Sequence, residues 1–192
     1  MYCSTKFYEP FILGSKTQDI NEFKNVINTN LVENYLNKIN LNNKDFVYIN
    51  AGMIHSLPGN PMVFELQQSS DITYRIYDYD RLDINCKKRD ILIKESLDTI
   101  KFNLKAEIQK EPDDKGIYKT NYFKLQKLEL KNQGIKINSK LASHCIELVV
   151  LNGSGFINDI HIKSGYVLLI LKKSRWISFK RKDRFIFKLC IK

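Results

Sequence analysis

Four polar residues within one short stretch have types and spacing that could do chemistry. They are His55, Glu65, Gln67 and Arg75, inside residues 45–81 (DFVYINAGMIHSLPGNPMVFELQQSSDITYRIYDYDR). His55 follows a glycine turn at an expected strand edge. Glu65 and Gln67 fall on one face of an expected strand, because side chains alternate along it, and Arg75 shares a face with Thr73 and Tyr77. An imidazole can bind a metal, a carboxylate can carry a proton, and a guanidinium can steady developing negative charge. If the strands close into one barrel, a His, a carboxylate and a cation converge at its mouth, a usual place for small-molecule sites. Taken singly the residues carry less. A lone Glu or Arg on a strand is usually solvated, and a lone His after a turn is more often not a ligand.

Positioning such a group requires strands, and the sequence supplies them in short runs. Phe11-Ile12-Leu13, ending in Gly14, reads as a strand. Residues 18–39 read as helical: Ile20, Phe23 and Ile27, then Val32, Tyr35, Leu36 and Ile39, recur at helical spacing, with a break or cap at Asn28-Thr29-Asn30. Asp45 to Ile49 form a β run, Ala51 to His55 and Pro58-Gly59-Asn60-Pro61 are turns, and Met62 to Gln67 and Thr73 to Tyr77 are β-like. A short helix is expected over Lys94 to Ile100, and a polar linker over residues 103–120. Beyond it, Tyr122 to Leu130, Cys145 to Leu151, Tyr166 to Leu171 and Arg184 to Ile191 read as strands, with Phe185, Phe187, Leu189 and Ile191 on one face. The expected class is mainly β, with two units: residues 1–102, a barrel carrying a helical insert near 18–39, and residues 121–192, a smaller β-sandwich.

Composition excludes some functions. Hydrophobic residues make up 43% and charged residues 27% of the 192, enough apolar side chain to bury a core. No apolar run reaches the roughly 20 residues that span a bilayer. Met1 to Pro10 lacks the pattern of a secretory signal, so a cytoplasmic protein is expected. Cys3, Cys86, Cys145 and Cys190 are far apart with no CxxC pair, which argues against a thiolate zinc site. The net charge of +10 is spread over a chain rich in Lys, Asn and Ile, so it points weakly to any one anionic partner.

The runs AGMIHS and ELQQSSDITYRIYDYDR resemble the motifs of the bacterial zinc-dependent, cupin-type mannose-6-phosphate isomerases. Ala51, Gly52 and His55 match that family's turn. Glu65, Gln67, Gln68, Ser70, Asp71, Thr73, Tyr74 and Arg75 match its strand, and Tyr77, Asp78, Asp80 and Arg81 match the tail. The resemblance implies a cupin or jelly-roll barrel and the interconversion of mannose 6-phosphate and fructose 6-phosphate. It implies that His55 is a zinc ligand, Arg75 the catalytic arginine, Glu65 an active-site carboxylate, and Arg81 a cation for the substrate phosphate. The implied cofactor is zinc and the implied partner a sugar phosphate.

The resemblance also has gaps. The family's other zinc ligands lie upstream of the insert, and aligning Gly14 with the glycine after their strand puts Met1 just past them. On this reading the barrel is N-terminally truncated, and three explanations stay open: an incomplete or inactive fragment, a complementing N-terminal fragment as partner, or a different, non-catalytic role. His144 and His161 match nothing in the family's site. Lys44 stands where a turn Gly is usual, and Asn50 where Pro is usual. Two other readings compete. One is a non-catalytic sugar-phosphate-binding or regulatory cupin that uses no metal. The other is a nucleic-acid-binding module, resting on Lys172, Lys173, Arg175, Lys180, Arg181, Lys182 and Arg184 with Trp176, Phe179 and Phe185 between them. Lysines on a solvated strand edge give the same pattern, and nucleic acid is not the expected partner.

Overall fold

The computed structural model describes residues 2–3, 9–59, 62–70, 72–79, 81–110, 117–130, 135–138, 145–171, 176–181 and 185–191. For 2–3, 129–130, 135–138, 176–177, 179–181 and 185–191 it describes the backbone alone. The chain divides into two compact units, Met1–Lys110 and Glu111–Lys192.

The first unit carries strands β1 (Tyr2–Cys3), β2 (Phe11–Ser15), β3 (Leu36–Ile39), β4 (Phe46–Tyr48), β5 (His55–Ser56), β6 (Val63–Phe64) and β7 (Glu107–Gln109). Helices α1 (Ile20–Val26) and α2 (Ile93–Thr99) and a 3₁₀ turn (Asn30–Tyr35) complete it. Two antiparallel sheets form, in the orders β6-β1-β4-β7 and β3-β2-β5. Strand β2 shows why. Its side chains alternate between two apolar cores. Phe11 and Leu13 face one, with Leu41 and Val47. Ile12 faces the other, with Phe23, Ile27, Val32, Leu36 and Ile54. Burying a large apolar side chain stabilises by about 1.5–3 kcal/mol, so each face of β2 holds its own set of elements.

The insert begins as its sequence indicates. Asp19 caps α1 by accepting a hydrogen bond from Asn21 N at 2.8 Å. Phe23 and Ile27 then share one face, and the Phe23 ring meets Phe102 edge-on with centroids 5.1 Å apart. The break expected at Asn28-Thr29-Asn30 is where Thr29 caps the 3₁₀ turn through Leu31 N. The helical expectation for 36–39 needs correction. These residues form β3, paired antiparallel with β2, because cross-strand pairing outweighs their helical spacing.

Two other expectations change. No strand forms over Thr73 to Tyr77, and β6 stops at Phe64, so Glu65 and Gln67 lie beyond it. Strand length needs a partner, and among the described residues β6 pairs with the two residues of β1 alone. Within the segment expected as a linker, β7 pairs with β4, residues 111–116 lie outside the described residues, and β8 (Ile117–Lys119) begins the second unit.

The second unit continues with β9 (Lys124–Leu130), β10 (Ile135–Asn138), β11 (Cys145–Asn152), β12 (Ser154–Ile157), β13 (Ile160–Lys163), β14 (Val167–Leu171), β15 (Trp176–Arg181) and β16 (Phe185–Ile191). They form two antiparallel sheets, ordered β14-β11-β16-β9-β8 and β10-β15-β12-β13. Ile146, Leu148 and Val150 of β11 are buried by period-2 alternation, as are Ile157 and Ile162 in the other sheet. The architecture is therefore mainly β in both units. Of the basic cluster near the C-terminus, Lys172, Lys173, Arg175, Lys182 and Arg184 lie outside the described residues, and so does His144. Among the described residues Cys86 and Cys145 are unpaired, and no helix is long and apolar enough to cross a membrane.

Candidate functional site

His55 is placed by a turn that only glycine serves well. Gly52 sits at φ 89°, and a Cβ there would lie 2.7 Å from the Thr99 carbonyl oxygen at the end of α2. Lys101 N donates to Gly52 O at 2.9 Å, and Gly14 N donates to Ile54 O at 2.7 Å, so the turn is tied to both α2 and β2. Lys44, where the family's pattern has glycine, adopts a left-handed φ of 77°. The β5 pairing sets His55 opposite Leu13. Directly opposed residues project to the same face, so His55 belongs to the Leu13 side of β2, yet its ring is exposed. Its Nδ1 lies 3.0 Å from Met53 O. A proton on Nδ1 makes that hydrogen bond and leaves the Nε2 lone pair for a ligand.

Glu65 is exposed just past the end of β6. Arg75 is half-buried in irregular backbone, where its own carbonyl accepts from Leu92 N at 2.9 Å. Its Nη1 donates to Asp90 O at 3.3 Å, and its Nε lies 3.8 Å from Asp78 Oδ1.

Asp78 organises this part of the structure. It is 6% exposed and takes both prongs of the Arg89 guanidinium: Nε donates to Oδ2 at 2.7 Å and Nη2 to Oδ1. The Arg89 hydrogen bonds hold the Asp78 carboxyl below the usual carboxylate range. Burial opposes that shift, and the charges of Arg89, Arg75 and Arg81 reinforce it. Asp78 in turn pushes the Arg89 guanidinium further up. Arg81 N donates to Asp78 O at 3.0 Å, and the Arg81 guanidinium carbon lies 5.1 Å from the centre of the Tyr79 ring, a cation–π contact.

The structure thus gathers Arg75 and Arg81 around Asp78. The cleft beside Asp78 is lined by Arg81, Lys88 and Arg89 and by none of His55, Glu65 and Arg75. Lys88 and Arg89 carry no family motif, and the Lys87-Lys88-Arg89 run is the sequence signal that marks them. Zinc requires about three protein ligands in a catalytic site. Among the described residues no three His, Cys, Asp or Glu side chains come together to hold a metal, so these residues do not by themselves fit zinc.

The two β units, with a helical insert beside one sheet, give the chain a fold similar to that of the mannose-6-phosphate isomerases. The crystal structure of the mannose 6-phosphate isomerase from Bacillus subtilis matches 98% of this chain and 62% of its own, with a TM-score of 0.81 at 25% identity. In sequence, a probable mannose-6-phosphate isomerase of Bacillus subtilis is 37% identical over 89 residues, 46% of this chain and 28% of the relative. The mannose-6-phosphate isomerase of Streptococcus mutans is 36% identical over 89 residues, with the same shares. The chain therefore covers less than a third of these curated relatives, and its similarity is consistent with a C-terminal portion of such an enzyme. No family model matches.

Proposed function

We propose that this chain contributes to a cupin-type mannose-6-phosphate isomerase centre, which interconverts mannose 6-phosphate and fructose 6-phosphate in the cytoplasm. The observation that carries this reading is the match of 98% of the chain to a solved isomerase, joined to the family motif around His55, Glu65 and Arg75. The reaction moves a proton between C2 and C1 of the open-chain sugar and builds negative charge on the enediolate oxygens. Arg75 stays charged at any working pH, and its contacts with Asp90 O and Asp78 limit its freedom. It is assigned the role of stabilising that charge. Glu65, exposed at the end of β6, is assigned the proton transfer. Zinc is the cofactor this reading implies. His55 is assigned as one ligand, and the others are assigned to a segment matching the part of the solved isomerase that this chain does not cover. The phosphate role expected for Arg81, which lines the cleft beside Asp78, is retained as part of this reading.

A non-catalytic sugar-phosphate-binding role is the second reading, favoured because, among the described residues, no other ligand group joins His55. A mixing experiment separates the two. The purified chain is combined with the part of the Bacillus subtilis isomerase that it does not match, zinc is added, and fructose 6-phosphate formation is followed in a coupled assay. The isomerase reading expects turnover in the mixture and not in either piece. It also expects a loss of about 100-fold or more in Arg75→Ala. A mixture that associates, holds zinc and shows no turnover supports the non-catalytic reading instead.

A further inference from the structure

Arg75 lies in irregular backbone rather than in a strand. Its ties come from residues 89–92, beyond the motif that ends at Arg81. Leu92 N donates to Arg75 O at 2.9 Å. Arg75 Nη1 donates to Asp90 O at 3.3 Å. Arg89 acts at one remove. It grips Asp78 through both carboxylate oxygens, and Asp78 Oδ1 lies 3.8 Å from Arg75 Nε.

Two guanidinium groups thus face one buried carboxylate, and the distances decide between them. Arg89 Nε donates to Asp78 Oδ2 at 2.7 Å and its Nη2 to Oδ1, a bidentate charge-assisted pair. At 3.8 Å Arg75 Nε is beyond a hydrogen bond. The fork fixes the plane of the Asp78 carboxylate, and so fixes what Arg75 lies beside. It also occupies both oxygens. A buried carboxylate needs a cationic partner to stay charged. Without Arg89 the next cation acting on Asp78 is Arg75, ahead of Arg81. Asp78 would then close on Arg75 and neutralise it. With Arg89 in place, Arg75 is oriented by Asp78 and Asp90 O, and its Nη2 stays outside both contacts.

We propose that Arg89 is a positioning residue for Arg75: acting through Asp78, it orients the Arg75 guanidinium and keeps the carboxylate from pairing with it. Arg89 is assigned no contact with substrate. The arrangement of the three side chains stands on the geometry, while its use in steadying an enediolate rests on the isomerase reading.

Arginine side-chain NMR on the isotope-labelled chain tests the arrangement without needing turnover. The Arg75 Nε–H signal is assigned by its loss in Arg75→Lys. In Arg89→Gln, Asp78 is free to close on Arg75, and exchange of that Nε–H with water should slow about tenfold. In Asp78→Asn exchange should quicken, and in the double variant Arg89→Gln, Asp78→Asn the slowing should disappear. Arg89 is exposed. Arg89→Lys, which keeps the charge and loses the fork, serves as the second variant, with the same change at smaller size. An Arg75 signal unaltered in both Arg89 variants, with wild-type circular dichroism, overturns the proposal. Turnover supplies the functional arm, in the zinc-supplied mixture of this chain with the complementing isomerase part. Arg89→Gln should lower kcat about tenfold with KM unchanged, and adding Asp78→Asn should restore part of the loss. A wild-type mixture without turnover defeats the isomerase reading alone, and the exchange rates still decide the role of Arg89. A wild-type mixture that turns over, with kcat unchanged in Arg89→Gln, overturns the proposal.

Discussion

His55 and Asp78 border different cores of the first unit, and they differ in how far this chain furnishes their surroundings. Asp78 is buried, with Arg89, Arg75 and Arg81 supplied by the same 15-residue neighbourhood. His55 faces the Leu13 side of β2 and remains exposed, with one ring nitrogen against Met53 O. A charge-paired cluster can be completed by local chain. An imidazole set by strand register needs other strands to bring it partners. The Asp78 region carries its own charge partners, whereas among the described residues no metal-holding group forms around His55.

The largest effect should come from Asp78→Ala. It leaves Arg89 and Arg75 without their shared carboxylate, and the loss should be about 3 kcal/mol in urea unfolding. Glu65→Ala, at an exposed position, should change stability by less than about 0.5 kcal/mol. Equal costs would erase the contrast between the two regions. The pH dependence sharpens the test. Because the Asp78 pKa is lowered by folding, its contribution is fully present above the unfolded carboxylate pKa, about 4. It is lost as pH falls through the still lower folded value. The gap between wild type and Asp78→Ala should therefore hold constant from neutral pH to about pH 4 and close in stronger acid.

A smaller effect tests the turn that aims His55. Gly52→Ala places a Cβ against the Thr99 carbonyl at a φ of 89° and should cost about 2 kcal/mol or more, since strain and contact add. Gly165→Ala has a similar φ of 86° with nothing within 4 Å of the added carbon and should cost about 1 kcal/mol. The difference between them measures how tightly α2 clamps the turn, and equal values would mean that it does not.

Much of this could be read from residue order. The Gly52 turn, the alternation of Phe11-Ile12-Leu13 and the Asp19 and Thr29 caps are local signals, and the structure uses them. The strand expected at 73–77 shows the limit. Its Thr, Tyr and Ile favour extended backbone, but among the described residues no strand pairs with it, and β-propensity acts mainly through such neighbours. Leu36 and Ile39 fit a helical period and yet sit in β3, because β2 supplies an edge to pair with. The Asp78–Arg89 pair spans 11 residues through a closed loop, and no short-range periodicity encodes that contact. The match to a solved isomerase supplied what the residue pattern alone left open, namely that these short strands belong to one known fold.

On the proposed function, the described residues bring one imidazole, that of His55, and no complete metal site to a mannose-6-phosphate isomerase-like centre. Zinc per chain, measured by mass spectrometry on the purified protein after equilibration with zinc and removal of the unbound ion, tests it most directly. The account predicts far less than one zinc per chain, with no further drop in His55→Ala. One zinc per chain that is lost in His55→Ala would contradict it.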